Sequence, residues 1–255
     1  DHKPILEDIE IAYYHEFRPE DYDPDQDDDF TELVWQDEFD TDGAPDVEKW
    51  NYDIGKGSNG WGNNESQYYT DRTDNVTVSD GTLKITAKKE SYEGAEYTSA
   101  RMKTQDKYDF TYGRVDVKAK LAGGGGTWPA IWMLGSNIST VGWPKCGEMD
   151  IMEYVGNNPG TVQSAIHTPS SSGNTVNLKS SPITNETSEF HIYSVIWSGD
   201  QISFLIDNER FYTYKPATLD QSTWPFDASQ FLILNVAMGG NLGGSIDPDF
   251  SESVM

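Results

Sequence analysis

Three carboxylates stand close together in Glu148-Met149-Asp150-Ile151-Met152-Glu153, interleaved with large apolar residues. On a regular strand side chains alternate faces, so Glu148 and Asp150 share one face and Glu153 takes the other. One extra residue, a β-bulge at Ile151-Met152, returns Glu153 to the side of its partners. The spacing predicts a bulged strand with three acids on one face, and Met149 with one bulge residue in the core behind. Like charges held this close raise at least one pKa, which leaves a proton-carrying acid beside ionised neighbours at neutral pH. That arrangement suits cleavage of a glycosidic bond with retention. A carboxylate attacks, and a carboxylic acid about 5–5.5 Å away protonates the leaving oxygen. In that chemistry Glu148 is the nucleophile and Glu153 the acid/base. Asp150 hydrogen-bonds the nucleophile and sets the protonation states. From the spacing alone, an acidic solvated face or carboxylates gathered for calcium stays open.

A strand that carries acids needs neighbours to hold it. Thr127-Trp128-Pro129-Ala130-Ile131-Trp132-Met133-Leu134 reads as one, with Trp128 and Trp132 an even number of residues apart and therefore on one face. Indole rings stack on the apolar C–H faces of pyranoses, which gives two such rings a use in a sugar cleft. The four glycines at 123–126 lack the Lys-Ser/Thr and the helix of a phosphate-binding loop. Thr161–Thr168 alternates, and Tyr112–Lys120 does so strictly. Asn75–Val78 and Gly81–Ala87 form a hairpin across a Ser-Asp-Gly turn. Phe190–Trp197 and Gln201–Asp207 form another, and Phe211–Tyr214 follows. Pro169–Ser188 reads as a Ser/Thr/Asn-rich loop, and Phe231–Asn241 as a continuous apolar run too buried to carry an acid site.

With Trp143-Pro144-Lys145-Cys146-Gly147 before it and Tyr154-Val155-Gly156 after it, the acidic strand resembles the active-site strand of glycoside hydrolase family 16. The match is to the bulged form found in endo-β-1,3-glucanases (laminarinases). Leu33–Asp40 is similar to the family's first strand, and Gly60–Tyr69 to its loop on the non-reducing side of the sugar. The resemblance covers residues 30–255 and implies an all-β sandwich, a jelly roll of two curved antiparallel sheets with an open concave cleft. An open cleft admits the middle of a polymer, so the expected activity is endo cleavage of β-1,3 links in laminarin-type β-glucan. The resemblance makes Asn63 and Arg101 ligands of sugar hydroxyls, and puts His167 beside the acid/base, contacting the leaving-group sugar. Purely structural roles stay open for these three. Trp128 and Trp132 line the cleft, and Trp143 walls it. No cofactor is expected for catalysis. A structural calcium is implied, held by backbone oxygens of Glu38 and Gly81 and by an aspartate from a last strand past Met255. That strand pairs near the first in the family. Either the sequence stops short of it, residues are missing, or Ile9–Tyr13, which has weak alternation, takes its place. The rival readings are a mixed-linkage β-1,3-1,4-glucanase, another family 16 polysaccharidase, and a non-catalytic β-glucan-binding protein. The bulge disfavours the usual mixed-linkage form, and three retained acids disfavour the binding protein.

Length and composition agree with one large all-β domain of 30–255 behind an acidic extension or linker at 1–29. Within that extension Asp23–Asp29 reads as solvated linker. The net charge of −25 makes nucleic acid an unfavourable partner. No apolar run reaches the length needed to insert in a membrane. Cys146 is the only cysteine, so no intrachain disulfide forms. The sequence shows no signal peptide, as the mature form of a secreted, monomeric enzyme would.

Overall fold

The computed structural model describes residues 9–14 and 30–255, so the reading of Asp23–Asp29 as linker lies outside the described residues. The period-2 patterns yield strands throughout, numbered here along the chain. The back sheet has six, in the spatial order β16 (Glu209–Tyr214), β15 (Ile202–Ile206), β14 (His191–Trp197), β9 (Gly113–Ala119), β1 (Ile9–Tyr14) and β2 (Phe30–Asp37). The front sheet has seven: β13 (Leu178–Pro182), β12 (Thr161–His167), β11 (Glu148–Tyr154), β10 (Thr127–Gly135), β17 (Gln230–Met238), β8 (Arg101–Lys103) and β3 (Asn51–Tyr52). A smaller sheet orders β18 (Glu252–Val254), β6 (Thr82–Tyr92), β7 (Ala95–Ser99) and β4 (Gln67–Tyr69), with β5 (Val76–Ser79) paired to β6. Two one-turn helices, α1 (Ile138–Val141) and α2 (Gly240–Gly243), sit in loops beside the front sheet. The expected all-β sandwich is the fold.

The core lies between front and back. Val115 and Val117 of β9, Tyr193, Val195 and Trp197 of β14, and Phe204 of β15 belong to one buried cluster with residues of the front sheet. From β10 it takes Ile131 and Met133, from β11 Met149, and from β17 Leu232, Leu234 and Val236. The positions between them, by the strand's alternation, face out of the front sheet and form the cleft floor. Removing that apolar surface from water is what holds the two sheets face to face.

Two segments differ from the sequence reading, and a third divides between sheets. Pro169–Ser188 contains β13, an exposed edge strand whose polar composition hid it. Tyr97–Met102 is shared between two sheets: β7 ends at Ser99, and β8 starts at Arg101 in the front sheet. The weak alternation at Ile9–Tyr13 is a strand, β1, hydrogen-bonded to β2 on one side and β9 on the other. It stands beside the first strand of the 30–255 region, where the resemblance puts a last strand.

Candidate active site

The bulge is where the spacing places it. Against β12, Asp150 pairs with Ala165 and Glu153 with Gln163, so three steps on β11 match two on its neighbour. Against β10, Asp150 pairs with Trp132 and Met152 with Ile131, which makes Ile151 the extra residue. Glu148, Asp150 and Glu153 thus share the front face with Leu134, Trp132 and Ala130 of β10. Both bulge residues are buried with Met149, not one of them, because the bulge bends the strand toward the core. Gly147 starts the strand at φ +76°, and a Cβ there would lie 2.7 Å from the Phe226 ring, so the position suits glycine alone.

Each acid has its own surroundings. Glu153 accepts from Trp128 Nε1 at 3.0 Å and from Gln163 Nε2 at 3.1 Å. Glu148 accepts from Trp143 Nε1 at 2.9 Å. Asp150 is buried beside Glu148, and its Oδ2 lies 3.1 Å from His167 Nε2. The turn after β12 explains this, because His167 Nδ1 accepts the Gly173 backbone N–H at 3.1 Å and so turns Nε2 toward the acids. His167 stands opposite Glu148 in the register, with Nε2 3.6 Å from Glu148 Oε1. It contacts Asp150 and Glu148 directly and lies near enough to Glu153 to lower its pKa.

Burial dominates the electrostatics. It pushes Glu148 up to about 8, the Asp150 charge adding to it, while His167 and the Trp143 N–H favour the ionised form. Asp150 is raised well above the ordinary carboxylate range by burial and then by Glu153. Glu153 is raised by burial, against the pull of Gln163, His167 and Trp128. Three such acids titrate as a cluster that keeps a proton through neutral pH, as an acid/base beside a nucleophile requires.

The cleft extends across β10, β17 and β8. Trp128 and Trp132 share its floor, each half-buried. Trp143 stands at its edge, 47% exposed, which leaves about half of its surface free to meet a ligand. Arg101 lies opposite Asn235 and is sandwiched between two indoles, 4.7 Å from the Trp132 ring centroid and 4.9 Å from that of Trp61. Asp53 anchors it from behind, Oδ2 to Nε 2.9 Å. Asn63 sits in the tight turn Gly60–Asn64, its Nδ2 3.4 Å from Glu65 Oε1.

Sequence reasoning missed four residues here. Gln163 is an even number of residues from His167, so face alternation alone could have found it. Trp61 lies in the loop that yielded Asn63 but was not chosen. Asn235 and Glu65 act in a directed chain of hydrogen bonds. Trp132 Nε1 donates to Asn235 Oδ1 (2.7 Å), Asn235 Nδ2 to Tyr69 Oη (3.0 Å), and Tyr69 Oη to Glu65 Oε2 (3.1 Å). Gln67 Nε2 also donates to that oxygen at 2.6 Å. With both Tyr69 and Gln67 donating to its Oε2, Glu65 ends the chain and fixes which way Asn235 and the Trp132 ring face. The lone polar residue in an apolar run was the available signal for Asn235.

Glu38 follows β2, and Gly81, at φ +67°, closes the β5–β6 hairpin. Neither lies among the cleft residues.

The family model for glycosyl hydrolases family 16 matches residues 63–249. A β-glucanase of Rhodothermus marinus is 45% identical over 231 residues, 86% of this chain and 80% of that protein. The solved laminarinase of Flavobacterium sp. UMI-01 is 45% identical with a TM-score of 0.82, covering 88% of this chain and 96% of that one. SCLam, a non-specific endo-β-1,3(4)-glucanase crystallised as a variant with glucan oligosaccharides, is 42% identical at a TM-score of 0.82, covering 88% and 91%. With the bulged acidic strand, its indole donors and these matches in agreement, the chain belongs to glycosyl hydrolases family 16.

Proposed function

We propose that this glycoside hydrolase cleaves internal β-1,3-glucosidic bonds of laminarin-type β-glucan with retention of configuration. The carrying observation is the placement of Glu148, Asp150 and Glu153 on one face of the bulged β11, with Trp143 on the first acid and Trp128 and Gln163 on the last. In the form of the cluster that carries its proton on Glu153, Glu148 is the carboxylate that attacks the anomeric carbon of the sugar over Trp132. Glu153 gives its proton to the glycosidic oxygen, the C–O bond breaks, and a glycosyl ester on Glu148 remains. Glu153, now a carboxylate, takes a proton from water, whose oxygen attacks the same carbon and frees Glu148. Asp150, raised by burial, keeps the cluster partly protonated, and His167 offsets its charge. Trp132, Arg101, Trp61 and Asn63 hold the non-reducing half of the substrate, which the names of the relatives suggest is a glucan.

The likeness to SCLam supports a second breadth, in which β-1,4 links within a β-1,3-containing glucan are also accepted. Reducing-end release from laminarin, with mixed-linkage β-glucan and agarose alongside, tests both. Short oligosaccharides from laminarin are expected; release only from another polymer moves the substrate, and silence in all three rejects the catalytic reading.

The same proposal has the enzyme act outside the cell as a monomer, since a polymer cannot enter and one chain carries every group named. It includes a structural calcium at the carbonyls of Glu38 and Gly81, an all-oxygen donor set that suits a hard cation. Chelation is expected to lower Tm without changing the product pattern.

A further inference from the structure

Trp61 has a backbone that its own side chain disfavours. It sits in the turn Gly60–Asn64 at φ +54° and ψ +28°, the left-handed region that a bulky L-residue enters only where its surroundings hold it. A glycine would sit there without strain, so the indole has to earn its place through its contacts. Gly57 packs against the fused bond of the ring: a Cβ added there would come within 2.6 Å of Cδ2 and 2.9 Å of Cε3. Nε1 donates to the Gly55 carbonyl at 3.3 Å, and the Tyr69 ring lies 5.8 Å away, centroid to centroid. The Arg101 guanidinium lies over the same indole, 4.9 Å from its centroid. The ring is thus wedged between backbone, a tyrosine and a cation, and is only half-exposed.

Arg101 is what these contacts serve. Its guanidinium also lies 4.7 Å from the centroid of Trp132, and Asp53 Oδ2 stands 2.9 Å from its Nε. Asp53 meets Nε alone, which leaves the N–H groups of both Nη nitrogens for hydroxyls of the substrate. One ion pair at Nε acts as a pivot and leaves the guanidinium plane free to rock about it. Two indoles remove that freedom, because a cation over a ring is held by the negative potential of its face. Trp132 is a cleft-floor residue in its own right. Trp61 has its ring committed to Gly57 and Arg101.

We propose that Trp61 is a positioning residue for Arg101: it fixes the plane in which the guanidinium meets the non-reducing side of the substrate. Its share in holding the glucan is therefore indirect. The inference rests on the β-1,3-glucanase reading and deepens it.

The test is a double-mutant cycle on kcat and KM, with laminarioligosaccharides long enough to span the cleft. Trp61→Ala is expected to raise KM about tenfold and to keep kcat within about twofold, since the acids are untouched. Arg101→Ala should raise KM at least as far. The double variant is expected to match Arg101→Ala within about twofold, because Trp61 then has no cation left to position. Trp61→Phe keeps a ring beside the guanidinium and should recover most of the loss. Gly57→Ala leaves the indole in the sequence but drives it off its seat, and should reproduce the KM rise; it also carries the test if Trp61→Ala does not fold. Losses that multiply in the double variant would show that the indole meets the sugar itself, and would overturn the proposal. An unchanged KM in Trp61→Ala would do the same. A wild-type enzyme that leaves the oligosaccharides intact strikes the β-1,3-glucanase reading instead, so the two failures are told apart.

Discussion

At the scale of residues, the site works because burial and hydrogen bonding pull in opposite directions on neighbouring acids. Glu148 titrates at about 8 in the folded chain, well above the ordinary glutamate value near 4.3. Between those pH values the folded state binds the extra proton, so the stability this group contributes at low pH is lost as pH rises through the window. Glu148→Gln cannot ionise and escapes that loss. It is expected to abolish turnover, to match the wild-type Tm near pH 4, and to exceed it at pH 8. The side chain is only 16% exposed, but the cluster shares its protons. A gain on the order of 2 kcal/mol, about 4–8 °C, is therefore a fair size for part of that shift. Equal melting curves at pH 8 would show that the acid is not under strain. Gln163→Leu tests the other acid. Losing the N–H on Glu153 Oε2 removes the largest force that lowers its pKa, so the alkaline limb of the kcat/KM profile should move to higher pH. A limb that stays in place would assign the acid/base role elsewhere.

At the scale of elements, the sequence was legible wherever one local pattern determined the outcome. The bulge is such a case: the count from Asp150 to Glu153 is odd, and only an inserted residue makes three acids cofacial. Deleting Ile151 should therefore remove the bulge and leave the three acids cofacial on a regular strand, with the last acid two residues after Asp150. Some turnover is expected to survive where Glu153→Gln has none, and Tm to fall because the buried Ile151 side chain is lost from the core; a deletion variant as inactive as Glu153→Gln would show that the acids need the bulge for more than their shared face. The Asn235–Tyr69–Glu65 chain was illegible for the opposite reason. Asn235 and Tyr69 are 166 residues apart in sequence and meet only because β17 and β4 are brought together, which no local pattern encodes. Tyr69→Phe breaks that chain, leaving Asn235 Nδ2 without its acceptor and the Trp132 ring free to turn. Its signature should be a several-fold rise in KM for long oligosaccharides with kcat nearly kept, since the acids are untouched. A fall in kcat alone would place the chain's influence on the chemistry instead. The polar edge strand β13 was hidden for yet another reason, since an exposed strand lacks the buried face that produces alternation.

At the scale of the whole molecule, the net charge of −25 sets a field in which the site must operate. A neutral glucan feels no steering from that field, so the charge has no part in substrate capture and acts on the protein itself. Like charges repel in the compact state, and salt relieves this once the Debye length, about 10 Å at 0.1 M, falls below their spacing. Specific ion pairs respond the other way. Asp53 with Arg101 and Lys103 is the strongest such group at the cleft, largely buried and therefore screened least. The two effects predict different curves. If general repulsion dominates, Tm rises by several degrees from 0.02 to 0.5 M NaCl and then levels off, with KM for laminarin unchanged. If ion pairs dominate, Tm falls over the same range. The buried placement of the Asp53 group, against an acid excess spread over the surface, favours the first. A rise in Tm at constant KM would show that charge governs stability while the uncharged indole floor governs binding.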